Sequence, residues 1–177
     1  MLKGDRVTLR AVERYDLPAI HAMRNNPDLE GLVYGAPIPH AMAELEIQFD
    51  AEQQVPADQR SDYKFVIDQG GAVVGRADLF DIDRVSGTGR IGVTVDTGHQ
   101  DAGLGTETVM LLLRYAFRDL GLLRIWCDIL ADNTRSIRMC EKCGLREEGR
   151  LRAHYWYDGA QRDAVVMGIL RDEWEAR

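Results

Sequence analysis

The segment that most limits the fold runs Ile91-Gly-Val-Thr-Val-Asp-Thr-Gly-His-Gln100-Asp-Ala-Gly103-Leu-Gly105-Thr-Glu-Thr108. A β-branched run enters a short loop with glycines at 103 and 105. The loop opens a helical stretch, Leu104 to Leu120, closed by Gly121. The first-turn N–H groups of such a helix lack intrahelical partners and carry the positive end of its dipole, so they suit a phosphate. Glycines let that backbone approach a ligand closely, and they equally permit a tight strand-to-helix turn. Two phosphate loops are excluded. A dinucleotide fingerprint needs glycine or alanine where Thr108 stands, and a Walker loop needs a Gly-Lys-Ser/Thr ending that does not occur. What remains is Gln100-x-x-Gly103-x-Gly105.

The rest of the chain alternates in the same way. Val7 to Val12 reads as a strand, and Asp16-Leu-Pro18 supplies an N-cap with proline in the first turn of a helix reaching about Asn25. Leu29 to Pro39 reads as loop, and Ala41 to Gln54 as a second amphipathic helix. Tyr63 to Asp68 and Ala72 to Asp81 are strands around Gln69-Gly70-Gly71, and Arg90 to Asp96 follows the turn Ser86 to Gly89. After the long helix come a strand Arg124 to Leu130, a helix capped by Asn133 and ended by Gly144, and strands Arg146 to Tyr157 and Gln161 to Leu170 joined at Asp158-Gly159. The order β α α β β β α β α β β, with no repeat or linker, predicts one mixed α/β (α+β) domain over 1–177.

Composition narrows function. The 177 residues are 45% hydrophobic and 29% charged, an ordinary globular balance that excludes disorder, collagen and a membrane-spanning helix. The start Met1 to Arg6 has no apolar signal core, so a cytoplasmic location is expected. The net charge of −7 argues against nucleic acid and favours a cationic partner such as an amine. Cys127, Cys140 and Cys143 read as packing residues rather than a disulfide or zinc set, and His21, His40, His99 and His154 show no ligand spacing, so no metal is expected. Trp126 and Trp156 read as core. Asp78, Asp81 and Asp83 read as sharing one face of the third strand, where they could hold an ammonium group.

The glycine loop resembles the acyl-CoA pyrophosphate loop of the GNAT N-acetyltransferase superfamily. The resemblance continues through Asp132-Asn133-Thr134-Arg135-Ser136 and Glu141 to Gly149, and through Leu9 to Leu17 near the start. These segments are similar to the branch that acetylates the N-termini of ribosomal proteins. The resemblance implies the GNAT fold, a mixed central sheet of about seven strands flanked by about four helices. It also implies an acetyl-CoA-dependent N-acetyltransferase in which an amine attacks the thioester directly. The acceptor it implies is a protein N-terminal amine. A small amine (a polyamine, aminoglycoside or amino acid) is the enzyme alternative, and a non-catalytic acyl-CoA sensor the alternative of another class. Relatives also commonly form homodimers.

The resemblance further assigns residues. Backbone groups of Val93 and Val95 would pair with the pantetheine arm, with the 95 amide polarising the acetyl carbonyl. N–H groups of Gln100, Asp101, Ala102, Gly103, Leu104, Gly105 and Thr106 would hold the pyrophosphate. Asn133 would meet the pantetheine, cap its own helix, or both. Ser136 would serve the leaving sulfur. Cys140 stands where many members carry a tyrosine proton donor, and His154 lies where the ribosomal branch has a glutamate base. Arg90 replaces a glutamate often found before the Ile91-Gly92 pair. The chemistry asks most of the amine. A side-chain amine with pKa about 10.4 costs roughly 4.6 kcal/mol to deprotonate at pH 7, and an α-amine of about 7.7–8.0 only around 1–1.4 kcal/mol.

Overall fold

The computed structural model describes residues 1–29, 38–56 and 59–177. Most of the loop expected at Leu29 to Pro39 lies outside the described residues. Strands β1 (Leu2–Lys3), β2 (Thr8–Ala11), β3 (Tyr63–Gln69), β4 (Ala72–Asp83), β5 (Thr88–Val95), β6 (Arg124–Leu130), β7 (Arg146–Tyr157) and β8 (Ala160–Leu170) form an eight-stranded sheet in the order β1-β2-β3-β4-β5-β6-β8-β7. Every neighbouring pair is antiparallel except β5 and β6. The helices are α1 (Leu17–Arg24), α2 (Met42–Gln53), α3 (Leu104–Arg114), α4 (Thr134–Lys142) and α5 (Arg171–Glu175). This is the expected mixed α/β GNAT fold, with one strand more than the sequence predicts. β1 has only two residues, too few for a periodic signal, and forms by pairing with β2.

The turns follow from local chemistry. Gly70 and Gly71 have φ of 62° and 92°, and Asp158-Gly159 has 48° and 70°, the paired positive values that a two-residue hairpin demands. The long helix differs from its expectation: after Arg114 the chain widens into a π turn over Tyr115–Asp119, with Leu120 N–H bonding the Tyr115 carbonyl at 3.0 Å. Asp16 also differs. Its side chain does not cap α1. It is buried and accepts both Arg10 guanidinium nitrogens, at 2.7 and 2.8 Å, and the Glu13 N–H at 2.8 Å.

The two sheet faces bury different layers. One carries the main core, in which Leu9, Ile67, Leu79, Ile91, Ile125 and Met167 pack against α3 and the cysteine side of α4. The other carries α1 and α2, with Leu17, Ile20 and Val66 packed beside Met42 and Phe49. Trp126 is only half-buried, between the Arg90 and Arg124 guanidiniums, and Trp156 is 56% exposed on the edge strand β7. Neither tryptophan is core, because Trp126, although on an interior strand, faces the Arg90 and Arg124 guanidiniums, and Trp156 stands on the edge strand. None of the helices among the described residues is long and apolar enough to cross a membrane.

Candidate active site

The one parallel pair creates the site. β5 and β6 pair only at Thr88–Arg124, Gly89–Ile125 and Arg90–Trp126, and beyond Arg90 they separate. The Asp96 N–H donates to the Val74 carbonyl at 2.9 Å, and Gly75 opposes Val95. Antiparallel parity therefore turns the even-numbered backbone groups of β5 toward β4 and those of Ile91, Val93 and Val95 toward the gap. The gap opens into a cleft of about 1190 Å³. Val93, Val95, Gln100, Asp101, Gly103, Leu104, Gly105, Thr106, Asn133, Ser136 and Cys140 all line it.

The glycine loop closes one end of this cleft. Gly103 caps α3 with φ 78°, and the first bond of the helix runs from Glu107 N–H to the Gly103 carbonyl, leaving the N–H groups of residues 104–106 at the helix mouth. Arg6 supports the turn from behind: its guanidinium donates to the Ala102 carbonyl at 2.7 Å, and its N–H to Glu107 Oε1 at 2.9 Å. Gly105 has a packing reason as well, since a Cβ there would stand 2.7 Å from Met139 Sδ on α4. The Gln100 side chain holds the loop to β5, donating to the Val95 carbonyl at 3.0 Å and accepting from Arg135. Arg135 also pairs with Asp101 at 3.2 Å, and Arg138 and Lys142 add positive charge to the same cleft. Free backbone N–H groups, a helix N-terminus and adjacent cations form a donor set that fits the pantetheine and diphosphate of acyl-CoA.

The residues assigned to proton transfer are not equivalent in space. Asn133 accepts the Ser136 N–H at 3.1 Å, so its cap role is present. Cys140 is buried with its sulfur 3.8 Å from that of Cys127, and that contact, followed by burial, pushes the Cys127 thiol well up. His154 is 42% exposed, stacks edge-on against Tyr155, and stands 3.7 Å from Asp128. Asp81 pairs with Arg90 at 3.0 Å, Asp83 closes its own turn by accepting from Val85 and Ser86, and Asp78 alone of the three lines the cleft. The shared face fails because Asp78 and Asp81 are three residues apart, an odd step that puts them on opposite faces of a strand, and a register shift between Phe80 and Asp83 interrupts β4 further.

Sequence reasoning missed a cluster at the fork. Asp128, with a side chain 4% exposed, accepts from Arg90 and from the Tyr155 hydroxyl. Arg90 also lies over Trp126 and Phe80, at 4.5 and 5.0 Å to the ring centroids. Burial, then the Asp128 hydrogen bond, pushes the Tyr155 hydroxyl far above its ordinary value. No spacing in the sequence links residues 90, 128 and 155, which come from three strands.

A mixed sheet forked at its single parallel pair, with a glycine-capped helix at the fork's mouth, defines an acyl-CoA-dependent transferase. The pattern of the acetyltransferase (GNAT) domain matches residues 6–146, and the chain belongs to that family. It is an N-acetyltransferase that uses acetyl-CoA. The chain is similar to the spermidine N(1)-acetyltransferase of Vibrio cholerae, 26% identical over 172 residues, covering 97% of this chain and 96% of the relative. A crystal structure of the spermidine N-acetyltransferase from Vibrio cholerae with CoA and spermine superposes with a TM-score of 0.90 at 25% identity, covering 97% and 99% of the two chains. The Bacillus subtilis protein YdaF, named for a proposed ribosomal N-acetyltransferase activity, is 30% identical over 105 residues, 59% of this chain and 57% of its own.

Proposed function

We propose that the whole chain, 1–177, acts as one domain that acetylates a small primary amine of the polyamine class. The observation that carries this reading is similarity along nearly the full length, in sequence and in fold, to spermidine acetyltransferases. The protein N-terminus expected from the ribosomal branch gives way to it, since the resemblance to YdaF covers little more than half of either chain.

In this reading acetyl-CoA enters the fork with its diphosphate on the N–H groups of residues 100–106. Its pantetheine runs along Val93 and Val95, past Asn133, and the Val95 N–H polarises the acetyl carbonyl. Ser136 serves the departing sulfur. That sulfur needs little help, because a thiol with pKa about 8.5 leaves readily as a thiolate. Cys140 backs the site from within the core. His154 stands beside Asp128 and Tyr155, which line the cleft.

The test is release of CoA thiol by the purified protein against spermidine, aminoglycosides, free amino acids and N-terminal peptides, with acetyl-CoA binding measured on the same preparation. Turnover on spermidine or a close amine is the expected result. Turnover confined to peptides would return the acceptor to the ribosomal branch, and tight binding without turnover on any amine would overturn the reading.

A further inference from the structure

The side of the cleft away from the glycine loop is floored by the sheet face that looks toward α1 and α2. Asp78 on β4 opposes Gly92 on β5 and Lys64 on β3, so the three share this face. Gly92 has no side chain, and a Cβ placed there would come no closer than 3.5 Å to Phe80. Asp78, Phe80, Gly92 and Val93 all line the cleft, and the Phe80 ring edge is the neighbour of the bare Gly92 position. Charged groups approach Asp78 from each element around it: Arg24 on α1, Glu52 on α2, Lys64 on β3 and Arg76 on its own strand. The other carboxylates that line the cleft have partners: Asp128 accepts from Arg90 and Tyr155, Glu52 pairs with Lys64, Asp101 pairs with Arg135, and Asp62 accepts the Asp81 N–H at 3.3 Å.

We propose that Asp78 is the proton acceptor for the amine substrate, a role that rests on the acetyltransferase reading above. The acceptor enters as an ammonium ion and gives one proton to the Asp78 carboxylate. The freed nitrogen lone pair forms the C–N bond to the acetyl carbon, and the C–S bond breaks with its electron pair going to sulfur. The nitrogen's surplus proton passes to the thiolate, so the products are the amide, CoA thiol and a proton that Asp78 returns to water. Arg90, at the position where a glutamate is common in the family, cannot accept this proton. Burial raises the Asp78 carboxyl above the usual range even against Arg76, Lys64 and Arg24, and that shift brings it nearer the poise a general base needs at neutral pH.

The test compares wild type, D78N and D78E for acceptor kcat and kcat/KM between pH 6 and 10, with acetyl-CoA affinity measured separately. D78N is expected to lower kcat about 10²–10⁴-fold at pH 7 with acetyl-CoA affinity unchanged. The deficit should shrink as pH nears the amine's own pKa of about 10.4, where free amine arrives without help. D78E should recover part of the rate. Wild-type kcat in D78N, a rise in KM alone, or a deficit constant across pH would overturn the assignment while leaving the acetyltransferase reading intact. Absence of wild-type turnover on every amine would overturn both.

Discussion

The side-chain amide of Gln100 donates to the backbone carbonyl of Val95 at 3.0 Å, tying the glycine loop to the end of the strand that borders the cleft. The motif residue thus shapes the loop that presents the N–H groups. A neutral hydrogen bond contributes about 0.5–1.5 kcal/mol. Gln100→Ala is expected to weaken acetyl-CoA binding about 2- to 12-fold with little change in thermal midpoint, read by calorimetry. Undiminished affinity would show that the loop holds its form without this tie.

Gly105 and Met139 are coupled in a way the binding motif does not reveal. A Cβ at 105 meets the Met139 sulfur at 2.7 Å, so Gly105→Ala must displace α4 or its side chain. Overpacking of this kind costs about 1–3 kcal/mol. A double-mutant cycle with Met139→Ala should return a favourable coupling of about 0.5–3 kcal/mol in urea unfolding. Strict additivity would deny the contact.

Arg10 joins β2, the start of α1 and the end of β3 through Asp16 and Asp68. Removing it leaves the Asp16 carboxylate buried without its cation, so Arg10→Met should destabilise the fold by about 3–5 kcal/mol. The Arg10 guanidinium, with help from the Gly71 N–H, holds the Asp68 carboxyl below its ordinary value. A depressed acid contributes stability that is present above its unfolded pKa of about 3.9 and is lost as pH falls through the lower folded value. The wild-type acid limb should therefore flatten in Arg10→Met, as monitored by circular dichroism below about pH 4.

The buried thiols set the alkaline side. Burial pushes Cys143 up to about 12. A raised acid contributes stability that is complete below its unfolded pKa of about 8.5 and is lost as pH rises through the folded value. Stability should decline between about pH 8.5 and 12, and Cys143→Ala should lessen that decline. Native Cys127 and Cys143 should resist iodoacetamide at pH 8 and react on unfolding; rapid native labelling of either would contradict their burial.

Much of the fold was legible because its signals are local. Strand Arg124–Leu130 coincides with its apolar run around Ile125, Trp126 and Ile129, Arg146–Tyr157 is bounded by Gly144 and the Asp158-Gly159 turn, and Gly70-Gly71 and Asp158-Gly159 take the positive φ values that mark a hairpin. Short β1 and the exposed position of Trp156 were not legible, since each depends on what lies alongside and not on its own sequence.

The candidate site divides the same way. The loop Gln100 to Thr106 and the Asn133 to Ser136 turn are contiguous, so helix-capping chemistry alone marks them as ligand-facing or capping segments. The sequence by itself thus determined the class of the fold and the glycine-loop end of the cleft. Only the tertiary structure decided where β5 and β6 part, which of three aspartates enters the cleft, and that Arg90, Asp128 and Tyr155 meet at the fork. The physical reason is that turns and caps are fixed by neighbours within a few residues, whereas the acceptor side is assembled by strand register and pairing between residues 27 to 65 positions apart in the chain.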